Sequence, residues 1–187
     1  MMFIEVFDDI IPPHLVDYYE LAVMGRGTDQ EKSMYALVDL KCRYENTGEE
    51  NGKLPLSFVH VLKSSTALSS HMDNFGLIPQ IACAEINSTL TDVILARIFV
   101  LVPYHTNLKH YAPHTDLPFD HYVVLYYVND SDGDTVFFYN GEIVKRVSPK
   151  RGRLIIFDGR IEHGGGIPTT GPRCAVNFDI RIDRRGV

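Results

Sequence analysis

Four residues of this chain have the types and spacing of a metal site beside a carboxylate grip: His114, Asp116, His163 and Arg173. Two imidazoles and one carboxylate on one face of an octahedron hold a divalent metal such as Fe(II) and leave the opposite face open to other ligands. An arginine ten positions after the second histidine offers a planar fork that takes a carboxylate through two parallel hydrogen bonds. Together they could hold a small organic acid next to an open metal position.

His-x-Asp alone says little, since a chain with eight histidines meets it by accident about once. The accidental match here is His71-Met72-Asp73. Its Ser/Thr/Leu/Ala-rich surroundings predict a helix, on which residues two apart point in different directions. Ten residues after its possible partners His105 and His121 stand Thr115 and Ser131, so no arginine completes a second set.

The set at 114 needs strands. Side chains at i and i+2 share a face of a strand, so His114 and Asp116 can reach one metal. The run Tyr122-Val-Val-Leu-Tyr-Tyr-Val128 is β-branched or aromatic almost throughout, which predicts a strand buried on both faces. His163 follows the apolar run Arg153-Leu-Ile-Ile-Phe157, and Arg173 opens Cys174-Ala-Val-Asn-Phe-Asp-Ile180. Each candidate therefore sits at a strand edge, where the mouth of a barrel or sandwich collects its chemistry.

From residue 92 the chain reads as about eight short strands separated by turn signals at 129–133, Asn140-Gly141, 149–152 and 164–172. The first 91 residues are mixed. A strand is expected over 3–7. A helix should begin at Pro12-Pro13, carry the stripe Leu15, Tyr18, Tyr19 and Ala22, and stop at Gly25 and Gly27. Residues 33–43 alternate as a strand, 45–55 form a polar loop, and 56–75 and 79–88 are expected to be helices behind the sheet. No linker interrupts the 187 residues, so a single domain is expected, with 1–91 supporting a core of 92–187.

Composition narrows the partners. A net charge of −6 disfavours a nucleic-acid backbone. Cys42, Cys83 and Cys174 are odd in number, far apart and without a CxxC pair, as in a reduced protein with neither a disulfide framework nor a thiolate zinc site. The segment Met1-Met-Phe-Ile-Glu-Val-Phe-Asp8 lacks the basic and apolar regions of a secretion signal, and no run has the length of a membrane span. A cytoplasmic location, with no membrane partner, is the expectation.

Several ordered segments resemble one family. Tyr111-Ala-Pro-His-Thr-Asp116 is similar to the Tyr-x-Pro-His-x-Asp of prolyl 4-hydroxylases. Val124-Leu-Tyr-Tyr-Val-Asn-Asp130 with Gly133-Asp-Thr-Val-Phe137 resembles their next two strands, and Pro149-Lys-Arg-Gly-Arg-Leu-Ile-Ile-Phe157 the run ahead of their distal histidine. The resemblance, confined to 104–182, is to the Fe(II)/2-oxoglutarate-dependent dioxygenase superfamily and its prolyl-4-hydroxylase-like branch. It implies a mainly β fold, a double-stranded β-helix (jelly-roll) core with N-terminal helices packed on it.

It also implies roles. His114, Asp116 and His163 would bind Fe(II), and Arg173 the distal carboxylate of 2-oxoglutarate, with dioxygen as second co-substrate and ascorbate as a candidate reductant. Tyr126 and Tyr104 are the aromatic candidates beside the co-substrate, although Tyr126 could instead be plain core. Asn177, alternating with Phe178, could face the cavity and would then need a partner. Three positions bear on the chemistry. Where several dioxygenases have Ser or Thr two residues after the arginine, this chain has Ala175. Where nucleobase demethylases of the superfamily carry a second arginine, it has Asp179, which disfavours base repair. Halogenases lack the ligand carboxylate, which is present here as Asp116, so hydroxylation is implied.

The expected substrate is first a prolyl residue of a peptide or protein. A free amino acid or small metabolite is the alternative, and the oligomeric state is open. A competing class is a cupin-like module that binds metal or a small acid without turnover. Cupins have no use for Arg173. A third is a purely structural jelly roll. Loops 45–55 and 105–110 are the segments that could cover the site.

Overall fold

The computed structural model describes residues 2–25, 41–43, 57–103 and 107–184. The chain begins with β1 (Ile4–Phe7) and α1 (Pro13–Met24). Proline suits the first turn of α1, where its missing amide has no partner to lose. Gly25 ends the helix in the left-handed region (φ 74°) and its amide donates to the Leu21 carbonyl at 3.0 Å. The helix buries Val16, Tyr19, Ala22 and Val23, with Leu15 and Tyr18 half-buried at the rim of the same core.

β2 (Lys41–Arg43), β3 (Ser57–Lys63), α2 (Met72–Phe75) and α3 (Leu77–Glu85) follow. After them come the strands β4 (Ser88–Leu101), β5 (Tyr122–Tyr127), β6 (Thr135–Tyr139), β7 (Glu142–Val147), β8 (Leu154–Asp158), β9 (His163–Gly165) and β10 (Arg173–Arg184). Among the described residues the strands form two antiparallel sheets. One has seven strands in the order β1-β8-β5-β10-β4-β3-β2, the other three in the order β7-β6-β9. The protein is thus mainly β, with a jelly-roll core and helices packed on it. Asn140 and Gly141, both at positive φ (52° and 80°), make the tight turn between β6 and β7.

Two expectations change. The segment 56–75 is not a helix. Ser57–Lys63 is a strand, held in register between β2 and β4 (Ser57 opposite Leu101, Val59 opposite Phe99), and only Met72–Phe75 is helical. The alternation of buried Ser57 and Val59 with half-buried Phe58 and His60 has period two, and pairing with a long neighbour overrides local propensity. The later helix runs over Leu77–Glu85 rather than 79–88. Among the described residues the core contributes seven strands, in keeping with the roughly eight expected. Of the strand expected over 33–43 only 41–43 is described. The loop at 45–55 lies outside the described residues.

Strand parity sets what faces what. Along β5, Val124, Tyr126 and Val128 pack against the helices, while Val123, Leu125 and Tyr127 pack between the sheets. Along β10, Cys174, Val176 and Phe178 face the helices, and Ala175 lies between the sheets. On β4, Ala96 and Ile98 take the helix side. The odd positions of these strands therefore line the space between the sheets, where the candidate residues meet.

Candidate metal and co-substrate site

His114 precedes β5, and His163 is the first residue of β9; the two are partners in an isolated antiparallel bridge. The amide of each donates to the carbonyl of the other, at 3.0 and 2.9 Å. Their side chains repeat one arrangement. Nδ1 of His114 lies 3.0 Å from the Ala112 carbonyl, and Nδ1 of His163 3.1 Å from that of Ile161. A carbonyl only accepts, so each Nδ1 carries the hydrogen and each Nε2 presents a lone pair. The rings of Phe157 and His163 meet edge to face at 4.9 Å, and Phe137 packs against Phe157 at 5.0 Å, which fixes the second imidazole from behind.

Asp116 completes the group. Its Oδ1 lies 3.9 Å from His114 Nε2 and its Oδ2 3.5 Å from His163 Nε2. Among the described residues these three are the one set of His, Cys, Asp or Glu able to hold a metal, with all donor atoms within 4.8 Å of one another. Two imidazole lone pairs and one carboxylate on a shared face fit Fe(II). Burial pushes the Asp116 carboxyl upward. The neighbouring His163 imidazole and the charge and hydrogen bond of Arg97 outweigh that effect and hold it well below the usual carboxylate range, so it is ionised.

Arg173 is buried and lines the same cavity. Its Nε donates to the Gly133 carbonyl at 2.9 Å and its Nη2 to Thr135 Oγ1 at 2.8 Å. The guanidinium also lies over the Tyr127 ring, 5.4 Å from its centroid. Nη1 remains beside Gly165, where any Cβ would approach it to 3.6 Å. The cavity has a volume of about 500 Å³; Leu101, Leu125 and Phe157 give it apolar walls, and Tyr111 and Thr135 add hydroxyl-bearing side chains.

Asn177 faces this cavity, and its Nδ2 donates to Asp116 Oδ2 at 3.2 Å. Tyr126 does not face it. By parity it lies on the helix side, fully buried, with its ring edge-on to Tyr19 at 5.5 Å. The tyrosine on the cavity side is its neighbour Tyr127, whose hydroxyl meets Thr135 Oγ1 at 2.5 Å. Tyr104 lies outside the described residues. His71 stands at the start of α2, with its ring 6.0 Å from that of His60 and away from the metal group.

Two residues of the site escaped the sequence reading. Thr135, at the start of β6, sits against Arg173, and nothing in its local sequence marks it. Arg97 donates through Nη2 to Asp116 Oδ1 at 2.6 Å and to Asp179 Oδ2 at 3.4 Å. Its signal was available: one arginine inside the apolar run 93–102 must find a partner when the strand is buried. Burial and the neighbouring Asp116 charge push the Asp179 carboxyl well above the usual carboxylate range.

The fold recurs in solved structures. The chain superposes on a prolyl hydroxylase of Trichoplax adhaerens in complex with a hypoxia-inducible-factor peptide fragment (TM-score 0.65, 12% identity, 95% of this chain and 82% of that one). It superposes on an oxidoreductase of the 2OG-Fe(II) oxygenase family from Burkholderia pseudomallei (TM-score 0.68, 11% identity, 95% and 84%). A third match is SnoN, a non-haem α-ketoglutarate-dependent epimerase of nogalamycin biosynthesis (TM-score 0.61, 12% identity, 96% and 78%). No protein-family model matches the chain, and no curated protein matches it significantly in sequence. The architecture is that of the 2-oxoglutarate- and Fe(II)-dependent oxygenases, with prolyl hydroxylases among them. Among the described residues, no helix is long and apolar enough to cross a membrane.

Proposed function

We propose that this protein is an Fe(II)- and 2-oxoglutarate-dependent oxygenase that hydroxylates an unactivated C–H bond. One observation carries the reading: His114, Asp116 and His163 bring their ligand atoms within 4.8 Å of one another in the wall of a cavity that Arg173 also lines. His114, Asp116 and His163 would hold the iron, which with dioxygen supplies the oxidising chemistry that no side chain here possesses. The reaction converts 2-oxoglutarate, dioxygen and substrate into succinate, carbon dioxide and hydroxylated substrate.

The chain's own residues bind and orient. The Arg173 guanidinium takes the distal carboxylate of 2-oxoglutarate, and Gly133 and Thr135 fix that guanidinium in advance, so the co-substrate is oriented on entry. The hydroxyl absent at Ala175 comes instead from Thr135, across the cavity on the small sheet. Leu101, opposite Arg173 on β4, keeps that end dry, which strengthens the ion pair. A metal-binding module without turnover has no use for so elaborate an arginine seat.

A prolyl residue of a peptide or protein is the first substrate class, supported by the likeness to the peptide-bound prolyl hydroxylase. A small metabolite is the second, supported by the likeness to the epimerase SnoN and by a cavity whose volume suits a compact molecule. The deciding experiment incubates the protein with Fe(II), ascorbate, 2-oxoglutarate and panels of proline-containing peptides and small molecules. Succinate release together with a 16-Da mass gain (one oxygen atom) on one substrate is expected. No succinate from a folded, iron-loaded protein, even at high 2-oxoglutarate, would favour the binding module.

A further inference from the structure

The mechanism above does not use Arg97, Asp179 or His121, yet all three are charged or titratable and lie in a row leading away from the metal group, Asp179 and His121 buried and Arg97 half-buried. We propose that Arg97 is a positioning residue for the metal site, acting through the ligand Asp116 and held in turn by Asp179. The proposal rests on the reading of His114, Asp116 and His163 as metal ligands.

Arg97 lies on β4 opposite Asn177 of β10, so the two side chains enter the space between the sheets side by side. Both reach Asp116: Arg97 Nη2 donates to Oδ1 at 2.6 Å, and Asn177 Nδ2 to Oδ2 at 3.2 Å. Each oxygen therefore has its own donor, and the plane of the carboxylate is set. The guanidinium cannot drift, because it stacks over the Phe99 ring at 5.0 Å and the same Nη2 reaches Asp179 Oδ2 at 3.4 Å.

Asp179 is fully buried, and its Oδ1 lies 3.5 Å from His121 Nε2. His121 Nδ1 donates to the Phe119 carbonyl at 2.7 Å, which leaves Nε2 as the atom turned to Asp179. Gly159 admits the ring there, since any Cβ at that position would come within 2.3 Å of Nε2. A buried ion pair is commonly no more stabilising than a well-packed apolar set of the same volume. An arginine braced from behind and ending on one ligand carboxylate is explained by what it does to that ligand. Partners behind a ligand orient it, and their loss commonly costs metal affinity by about 10–100-fold.

The test is Mn(II) affinity, with Co(II) absorption as a second readout, on wild type, Arg97→Met, Arg97→Lys, Asp179→Asn and His163→Ala. Arg97→Met should bind Mn(II) about 10–100-fold more weakly. Its Co(II) spectrum should change, because Asp116 is free to rotate. Arg97→Lys, which keeps the charge but not the fork, should recover part of the affinity. Asp179→Asn, which keeps an acceptor for Arg97, should lose less than Arg97→Met. Should Arg97→Met fail to fold, Arg97→Lys and Asp179→Asn still carry the comparison. A folded Arg97 variant with wild-type affinity and an unchanged Co(II) spectrum would overturn the role of Arg97 while leaving the metal site intact. Wild type that binds no Mn(II), like His163→Ala, would overturn both.

Discussion

His114 and His163 are a hydrogen-bonded backbone pair as well as two imidazoles aimed at one point. Their separation is set by main-chain hydrogen bonds, and each ring is oriented by the carbonyl two residues before it. The metal group is therefore built into the pairing of β9 with the segment ahead of β5, and a side chain can be removed without breaking that pairing. His163→Ala keeps both backbone bonds. It should abolish divalent-metal binding while the protein stays folded, as read by metal titration beside circular dichroism. Metal binding retained at wild-type affinity would remove His163 from the set.

The co-substrate end gives a contrast between neighbours. Arg173→Ala should weaken 2-oxoglutarate binding by at least about 100-fold, the loss expected for a buried charged hydrogen-bond partner, and leave Mn(II) affinity nearly unchanged. Thr135→Val, which removes an acceptor from Arg173 Nη2 and a hydroxyl from the cavity, should cost about tenfold. Tyr126→Phe, on the helix side, should leave 2-oxoglutarate affinity at the wild-type value. Calorimetric titration of the three variants separates these outcomes; a Tyr126→Phe protein that bound the co-substrate poorly would contradict the placement.

Gly166, just after β9, is packed against the backbone just ahead of β6. A Cβ there would lie 2.6 Å from the Asp134 carbonyl oxygen, 2.7 Å from its amide nitrogen and 2.8 Å from the Gly133 carbonyl carbon. Backbone cannot give way as a side chain can, so Gly166→Ala should destabilise the protein by about 1–3 kcal/mol. Because the Gly133 carbonyl holds Arg173 Nε, the same change should weaken 2-oxoglutarate binding. Thermal unfolding and co-substrate titration should move together; an unchanged midpoint would mean the junction tolerates the methyl group.

Cys83 on α3 is buried, and burial pushes its thiol up to about 11. The thiolate is the reactive form, so at pH 8 almost none is present. Iodoacetamide should leave Cys83 unmodified in the folded protein at pH 8 and label it fully after denaturation, as read by peptide mass mapping. Its reactivity should rise only as the pH approaches 11. Rapid labelling of native protein at pH 8 would show that α3 opens.

What the sequence disclosed follows from which physical signals are local. The order His114, Asp116, His163, Arg173 was readable because a facial metal group and a carboxylate fork demand those side chains. The second His-x-Asp at His71 could be set aside because no arginine follows its partners, and it does lie away from the metal group. Residues 57–63 escaped because a strand of seven residues pairs with β4 across the intervening helices α2 and α3, and that pairing is not local. Tyr126 and Tyr127 are adjacent, and a shift of one residue exchanges the faces of a strand. Which of them meets Arg173 depends on the register of β5 against β10, where Tyr126 is opposite Val176 and Tyr127 opposite Ala175. Arg97 and Asp116 lie on separate elements that only the sandwich brings together.

The central claim is one site that holds both metal and co-substrate. The direct test is anaerobic titration of metal-free protein with Fe(II), with and without 2-oxoglutarate, following the weak visible charge-transfer absorption of chelated iron. The account predicts a band that needs both components and that Arg173→Ala restores only at much higher 2-oxoglutarate. Folded protein that gives no band with both present would contradict it.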